Sequence, residues 1–147
     1  LMDIGVYCLH AAQLLLGEPQ TVAGKSVFLP GGIDGAGSLV LGYDGALAEI
    51  VYSKITDSVS PSEIEGEGGS ILIDAVSRPR QAELVLRGGA RREIPLGVEA
   101  DEMRYEIEDF LALLRGADGA RYLADSEAVT RTLDRARAGM GVEFRRR

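Results

Sequence analysis

Asp3, Tyr7 and His10 stand four and three residues apart inside Leu1–Gly17, LMDIGVYCLHAAQLLLG. At about 100° per residue they fall within roughly 60° of one another, on a single stripe of a helix. Around them the segment is apolar: Ile4, Cys8, Ala11, Ala12 and Leu15 form one face, and Val6, Leu9 and Leu16 fill most of the rest. That pattern predicts a buried core helix. A carboxylate, a phenol and an imidazole on such a helix are costly to bury unless something polar meets them. The partner is either another part of the protein or a substrate. In the first case the three residues form a satisfied internal network. In the second they form a proton-transfer site on one rigid element. The Tyr7 phenol can accept and donate a proton, Asp3 one turn earlier can hold or polarise it, and His10 nearly one turn later can bind a hydroxyl.

The other polar residues offer less chemistry. Asp101, Glu102, Glu106, Glu108 and Asp109 read as the solvated face of a helix, with Glu108 placed to pair with Arg104. They bring no histidine and no loop geometry for a metal. No Cys/His cluster could hold zinc, and no Ser-centred nucleophile elbow is present. Gly66-Glu67-Gly68-Gly69 is flanked by glutamate and followed by no helix, so it reads as a turn and not as an anion cradle. Neither a dinucleotide-binding Gly-rich turn nor a Walker loop occurs. Tyr43, Tyr52, Tyr105 and Tyr122 read as structural rings near element margins.

The elements that must carry the stripe follow from the same sequence. The first helix ends at Gly17, ahead of Pro19. Period-two alternation then predicts strands over Thr21–Leu29, Gly37–Tyr43 and Ala46–Thr56. The last two flank Asp44-Gly45, a pair favoured in type I′ hairpins, and residues 30–35 read as a loop. The strand after Asp44-Gly45 puts Leu47, Glu49, Val51 and Ser53 on one face and Ala46, Ala48, Ile50 and Tyr52 on the other. Helices on one side and a second subunit on the other would suit that pattern. Ser62–Glu65 and Ser70–Ala75 form the next pair. Ala82–Arg87 and Ala90–Pro95 come after them around Gly88-Gly89, near a sheet edge. Two helices close the chain. Ala100–Arg115 carries an apolar stripe of Met103, Ile107, Phe110, Leu111 and Leu114, and Ser126–Ala138 is N-capped by Asp125. This order predicts an α+β fold, an open and predominantly antiparallel sheet with helices packed on one face.

Bulk properties narrow the function classes. With 147 residues the chain suits one domain with a proper core. A net charge of −7 argues against nucleic acid or an anionic membrane as main partner. The single cysteine, Cys8, excludes a disulfide framework and points to the cytoplasm. No apolar run approaches a membrane span. The core helix begins at once on Leu1, so the sequence reads as a piece of a longer protein whose preceding domain is absent.

The segment Asp3-Ile4-Gly5-Val6-Tyr7-Cys8-Leu9-His10 resembles the D-x-G-x-[H/Y]-x-x-[D/N/H] signature of the Gfo/Idh/MocA oxidoreductases, the group of glucose-fructose oxidoreductase, inositol dehydrogenase and dihydrodiol dehydrogenase. The helix end Leu15-Leu16-Gly17-Glu18-Pro19, the hairpin Tyr43-Asp44-Gly45-Ala46 and the segment Ile64–Ile71 are similar to the family's as well. The resemblance implies a glyceraldehyde-3-phosphate dehydrogenase-like C-terminal domain over residues 1–147, which supplies the substrate site and, through its open sheet face, a homodimer or higher-oligomer interface. An N-terminal Rossmann domain, absent here, would bind NAD or NADP and carry the lysine of the family's Glu-Lys-Pro motif. Asp3 would then orient the site, Tyr7 would be the general acid/base, and His10 would bind substrate. The implied reaction is reversible hydride transfer between a CH–OH group of a sugar, polyol or diol and the nicotinamide. A free phenol titrates near pH 10, so a phenol serving as base at neutral pH needs a nearby cation. This chain alone is therefore expected to hold no cofactor and to be inactive. The competing reading is a binding or regulatory protein that keeps the fold without the chemistry.

Overall fold

The computed structural model describes residues 1–97 and 103–143. The order is α1 (Gly5–Leu16), β1 (Thr21–Phe28), β2 (Asp34–Tyr43), β3 (Ala46–Ser53), β4 (Ser62–Gly66), β5 (Gly69–Ile73), β6 (Ala82–Leu86), β7 (Arg91–Ile94), α2 (Met103–Leu114) and α3 (Ala120–Met140). One helix, seven strands and two helices make the expected α+β chain. Every recorded pairing is antiparallel, in two ladders, β1-β2-β3 and β4-β5-β6-β7. Two compact units result, residues 1–57 with 120–147, and residues 58–119.

In the first unit the alternation of β2 and β3 decides the core. Leu39, Leu41, Ile50 and Tyr52 turn to one face and are buried, with Val22, Tyr43 and Ala48 packed beside them. Leu9 and Ala12 of α1 meet that face, as do Val129, Leu133, Ala136 and Met140 of α3. Burying each large side chain stabilises by about 1.5–3 kcal/mol. The opposite face holds Val27, Val40, Leu47 and Val51, all exposed, in the two-sided pattern read from the sequence. Arg135 ties α3 to the connection between α1 and β1 by donating to the Pro19 and Gln20 carbonyls at 2.7 Å each. Arg131 pairs with Glu18 at 3.0 Å and holds that carboxyl below its usual range.

In the second unit, β4 and β5 form a hairpin closed by Gly66↔Gly69, so the glycine-rich stretch is the turn that was expected. β7 is an edge strand, also as expected. Arg104 pairs with Glu108 at 2.7 Å. Helix α2 presents Met103, Ile107, Phe110, Leu111 and Leu114 exposed. The expected start of this helix at Ala100, with Asp101 and Glu102, lies outside the described residues.

Several local expectations need correction. The first helix is not buried all round. Gly5, Leu9 and Ala12 are buried, while Leu14, Leu15 and Leu16 are 63%, 59% and 41% exposed, because this unit offers α1 only one surface to pack on. Residues 2–4 form a turn, so the helix starts at Gly5 and not at Leu1. The β2 strand begins at Asp34, inside the expected loop, because Phe28↔Asp34 extends the ladder past a bulge. Asp44-Gly45 is not a type I′ turn. That type needs positive φ at both central residues, and here only Gly45 has it, at 76°. Asp125 does not cap α3, which starts five residues earlier. Ala120-Arg121-Tyr122-Leu123-Ala124 contains no breaker, and Arg121 pairs with Asp125 across one turn at 3.7 Å.

Candidate active site

The first turn of α1 is fixed from below. Leu1 is fully buried, and its carbonyl accepts the Val6 amide at 3.1 Å. Its backbone nitrogen donates to the Asp34 carboxylate. Gly5 is buried against Tyr52, and an added Cβ would stand 3.1 Å from Leu1 Cδ1 and 3.4 Å from Tyr52 Cδ1. Glycine here lets the helix settle onto the aromatic ring. Tyr52 is 4% exposed, and its hydroxyl lies 3.1 Å from Ser26 Oγ and also hydrogen-bonds Asp34. A carboxylate only accepts, so Tyr52 donates to Asp34 and Ser26 donates to Tyr52. Burial pushes the Tyr52 phenol up, further raised by the Asp34 charge. For Asp34, burial raises the carboxyl, and the Tyr52 hydroxyl and the charge of Lys54 oppose that rise.

Upon this base Asp3 and Tyr7 face outward. The Asp3 side chain is 77% exposed, and its Oδ2 lies 3.5 Å from Lys54 Nζ. Tyr7 is 54% exposed, and among the described residues nothing is recorded to hydrogen-bond its hydroxyl. His10 is half-buried on the same side of α1, one turn on from Tyr7. Cys8 is half-buried, and burial pushes its thiol up, the setting of an unreactive cysteine. Asp3 in the turn and Tyr7 and His10 on the helix make up the candidate wall; Asp3 is not on the helical stripe that was expected, because the helix starts at Gly5. A concavity along α3, lined by Leu123, Ser126, Thr130 and Arg131, contains none of the three. Among the described residues no group of three His, Cys, Asp or Glu could hold a metal ion.

Sequence reasoning missed Asp34, Tyr52 and Lys54 as partners of this wall. Tyr52 and Lys54 follow Ile50 at period two, and that parity was the available signal for the strand end beneath the helix. Asp34 carried no such signal, since it was read as loop.

Comparison with known proteins shows what the chain is similar to. Residues 1–72 match the GFO/IDH/MocA C-terminal domain model. The chain is 42% identical over 115 residues to scyllo-inositol 2-dehydrogenase (NADP(+)) of Bacillus subtilis, covering 78% of this chain and 35% of that protein. It is 28% identical over 162 residues to trans-1,2-dihydrobenzene-1,2-diol dehydrogenase of Mus musculus, covering 98% of this chain and 46% of that protein. Among solved structures, UDP-N-acetylglucosamine 3-dehydrogenase of Acidithiobacillus ferrooxidans superposes with a TM-score of 0.76 at 20% identity, over 95% of this chain and 46% of that one. That last likeness concerns the fold alone. The chain spans between a third and a half of the length of these relatives.

Proposed function

Because this chain belongs to the Gfo/Idh/MocA oxidoreductase family and forms its C-terminal domain, we propose that it is the substrate-binding half of an NAD(P)-dependent dehydrogenase. The reaction acts on a CH–OH group of a sugar, polyol or diol. The observation that carries this reading is the exposed Tyr7 on a helix whose other flank is anchored to the sheet, with the exposed Asp3 carboxylate four residues earlier in the turn that leads into it. In the cytoplasm, a preceding Rossmann domain supplies the opposite wall and covers the exposed Leu14-Leu15-Leu16 end of α1.

Among the described residues none forms a dinucleotide cradle. The Gly66–Gly69 stretch closes a β-hairpin and leads into no helix, so no helix N-terminus meets a pyrophosphate there. The nucleotide would be held by the preceding domain and, when bound, would supply the hydride acceptor. This chain's own residues handle the rest. Tyr7 Oη takes the proton of the reacting hydroxyl while its own proton passes to the lysine of the preceding domain, Asp3 orients the hydroxyl or the phenol, and His10 holds a neighbouring hydroxyl.

The test is turnover of a panel of inositols, aldoses and diols with NAD⁺ and NADP⁺. The full-length protein is expected to oxidise at least one of them, and residues 1–147 alone none. Turnover by the isolated chain, or a silent full-length protein, overturns the reading.

The exposed face of β1–β3, with Val27, Val40, Leu47 and Val51, serves as a dimer interface in this reading. Light scattering of the full-length protein is expected to give twice the monomer mass or more. Val51→Lys is expected to return it to monomer, since a charge buried in an apolar interface finds no partner.

A further inference from the structure

Strand β3 does more than floor the core beneath α1. Its inward parity runs Ile50, Tyr52, and then Lys54 just past the strand's end. The Lys54 amide donates to the Gly35 carbonyl at 2.7 Å, which carries the ladder one residue further and fixes where the side chain departs. From there the lysine rises to Asp3, with Nζ 3.5 Å from Oδ2. Its own side chain is only 27% exposed while the carboxylate it meets is 77% exposed. The cation is set into the floor and the acid stands at the rim. Asp3 lies in the turn ahead of the helix and caps nothing, because no side-chain cap is recorded at the start of α1.

We propose that Lys54 is a positioning residue of the site: it holds the Asp3 carboxylate in the orientation from which that group acts on the substrate hydroxyl. This rests on the proposed roles of Asp3 and Tyr7. An exposed ion pair of this kind adds little to folding, so the pair's consequence falls on alignment. A carboxylate with one partner removed turns freely about its side-chain torsions, and loss of alignment is paid in turnover. An ammonium has three donors, so the contact to Asp3 leaves two for a substrate oxygen.

The experiment uses the full-length protein with its best substrate among the inositols, aldoses and diols. It compares Lys54→Met, Lys54→Arg, Asp3→Asn and the double variant Lys54→Met/Asp3→Asn. Lys54→Met is expected to lower kcat/KM about tenfold, mostly in kcat. Its melting temperature should move by less than about 2 °C and nucleotide affinity should be unchanged. Lys54→Arg is expected to recover most of the loss. In the Asp3→Asn background the Lys54 change should cost less than about twofold, because one group acts through the other. A damaging Asp3→Asn with a silent Lys54→Met overturns the role of Lys54 and leaves the site intact. Full multiplication of the two effects also overturns it, since the residues then act separately. If Asp3→Asn and Tyr7→Phe are both silent, the reading of the site fails and this inference fails with it.

Discussion

Tyr7→Phe in the full-length protein is expected to lower kcat by about 10²–10⁴-fold, the range for loss of a general acid/base. Nucleotide affinity and melting temperature should stay as they are. The reason lies in where the hydroxyl stands. Tyr7 is 54% exposed, and no described residue is recorded to hydrogen-bond its oxygen. Deleting that oxygen removes no support from the fold, unlike the same change at the buried Tyr52. A steady-state assay with a calorimetric nucleotide titration separates the two consequences. A variant with wild-type kcat would move the proton step to another group and leave Tyr7 as a surface ring.

Asp34→Ala in the full-length protein is expected to cost about 2 kcal/mol of folding stability, within the range for leaving a buried polar group without its partner. The change takes from the buried Tyr52, which floors Gly5, the acceptor of its hydroxyl. Asp34→Asn keeps an oxygen in place for that hydroxyl and is expected to recover most of the loss. Urea unfolding of the wild type and both variants checks this. An Asp34→Ala midpoint equal to that of the wild type would deny Asp34 this part.

Much of the fold was legible because period decides it. The alternation over Ala46–Thr56 separated Ile50 and Tyr52 from Leu47 and Val51, and the structure shows the first pair buried and the second exposed. Gly17 ended the first helix, with φ at 78°. Of the expected stripe, Tyr7 and His10 lie on the helix, while Asp3 stands in the turn before it, since helical spacing alone does not say where the first turn begins. What escaped depends on distance along the chain. Asp34 looked like loop because nothing near it says that Leu1, thirty-three residues earlier, needs an acceptor. Lys54 was read only as part of the strand over Ala46–Thr56, although its parity with Ile50 and Tyr52 aimed it at the helix. Buriedness also misled. An apolar helix reads as surrounded, but α1 is clothed here on one side only. The cap at Asp125 failed because a good capping residue remains an ordinary helix residue when strong helix formers precede it.

Tyr52 against Gly5 and Lys54 against Asp3 hang from a single stretch of β3, two residues apart. Added length at the hairpin tip around Gly45 would leave both contacts where they are, since the far end of the ladder is pinned at Gly35. One residue inserted between Ile50 and Lys54 would invert the facing of every side chain beyond it and send the lysine to the wrong side of the sheet. Descendants of this sequence are therefore free to vary the tip at Asp44-Gly45, whereas Ile50–Lys54 must be inherited at fixed length.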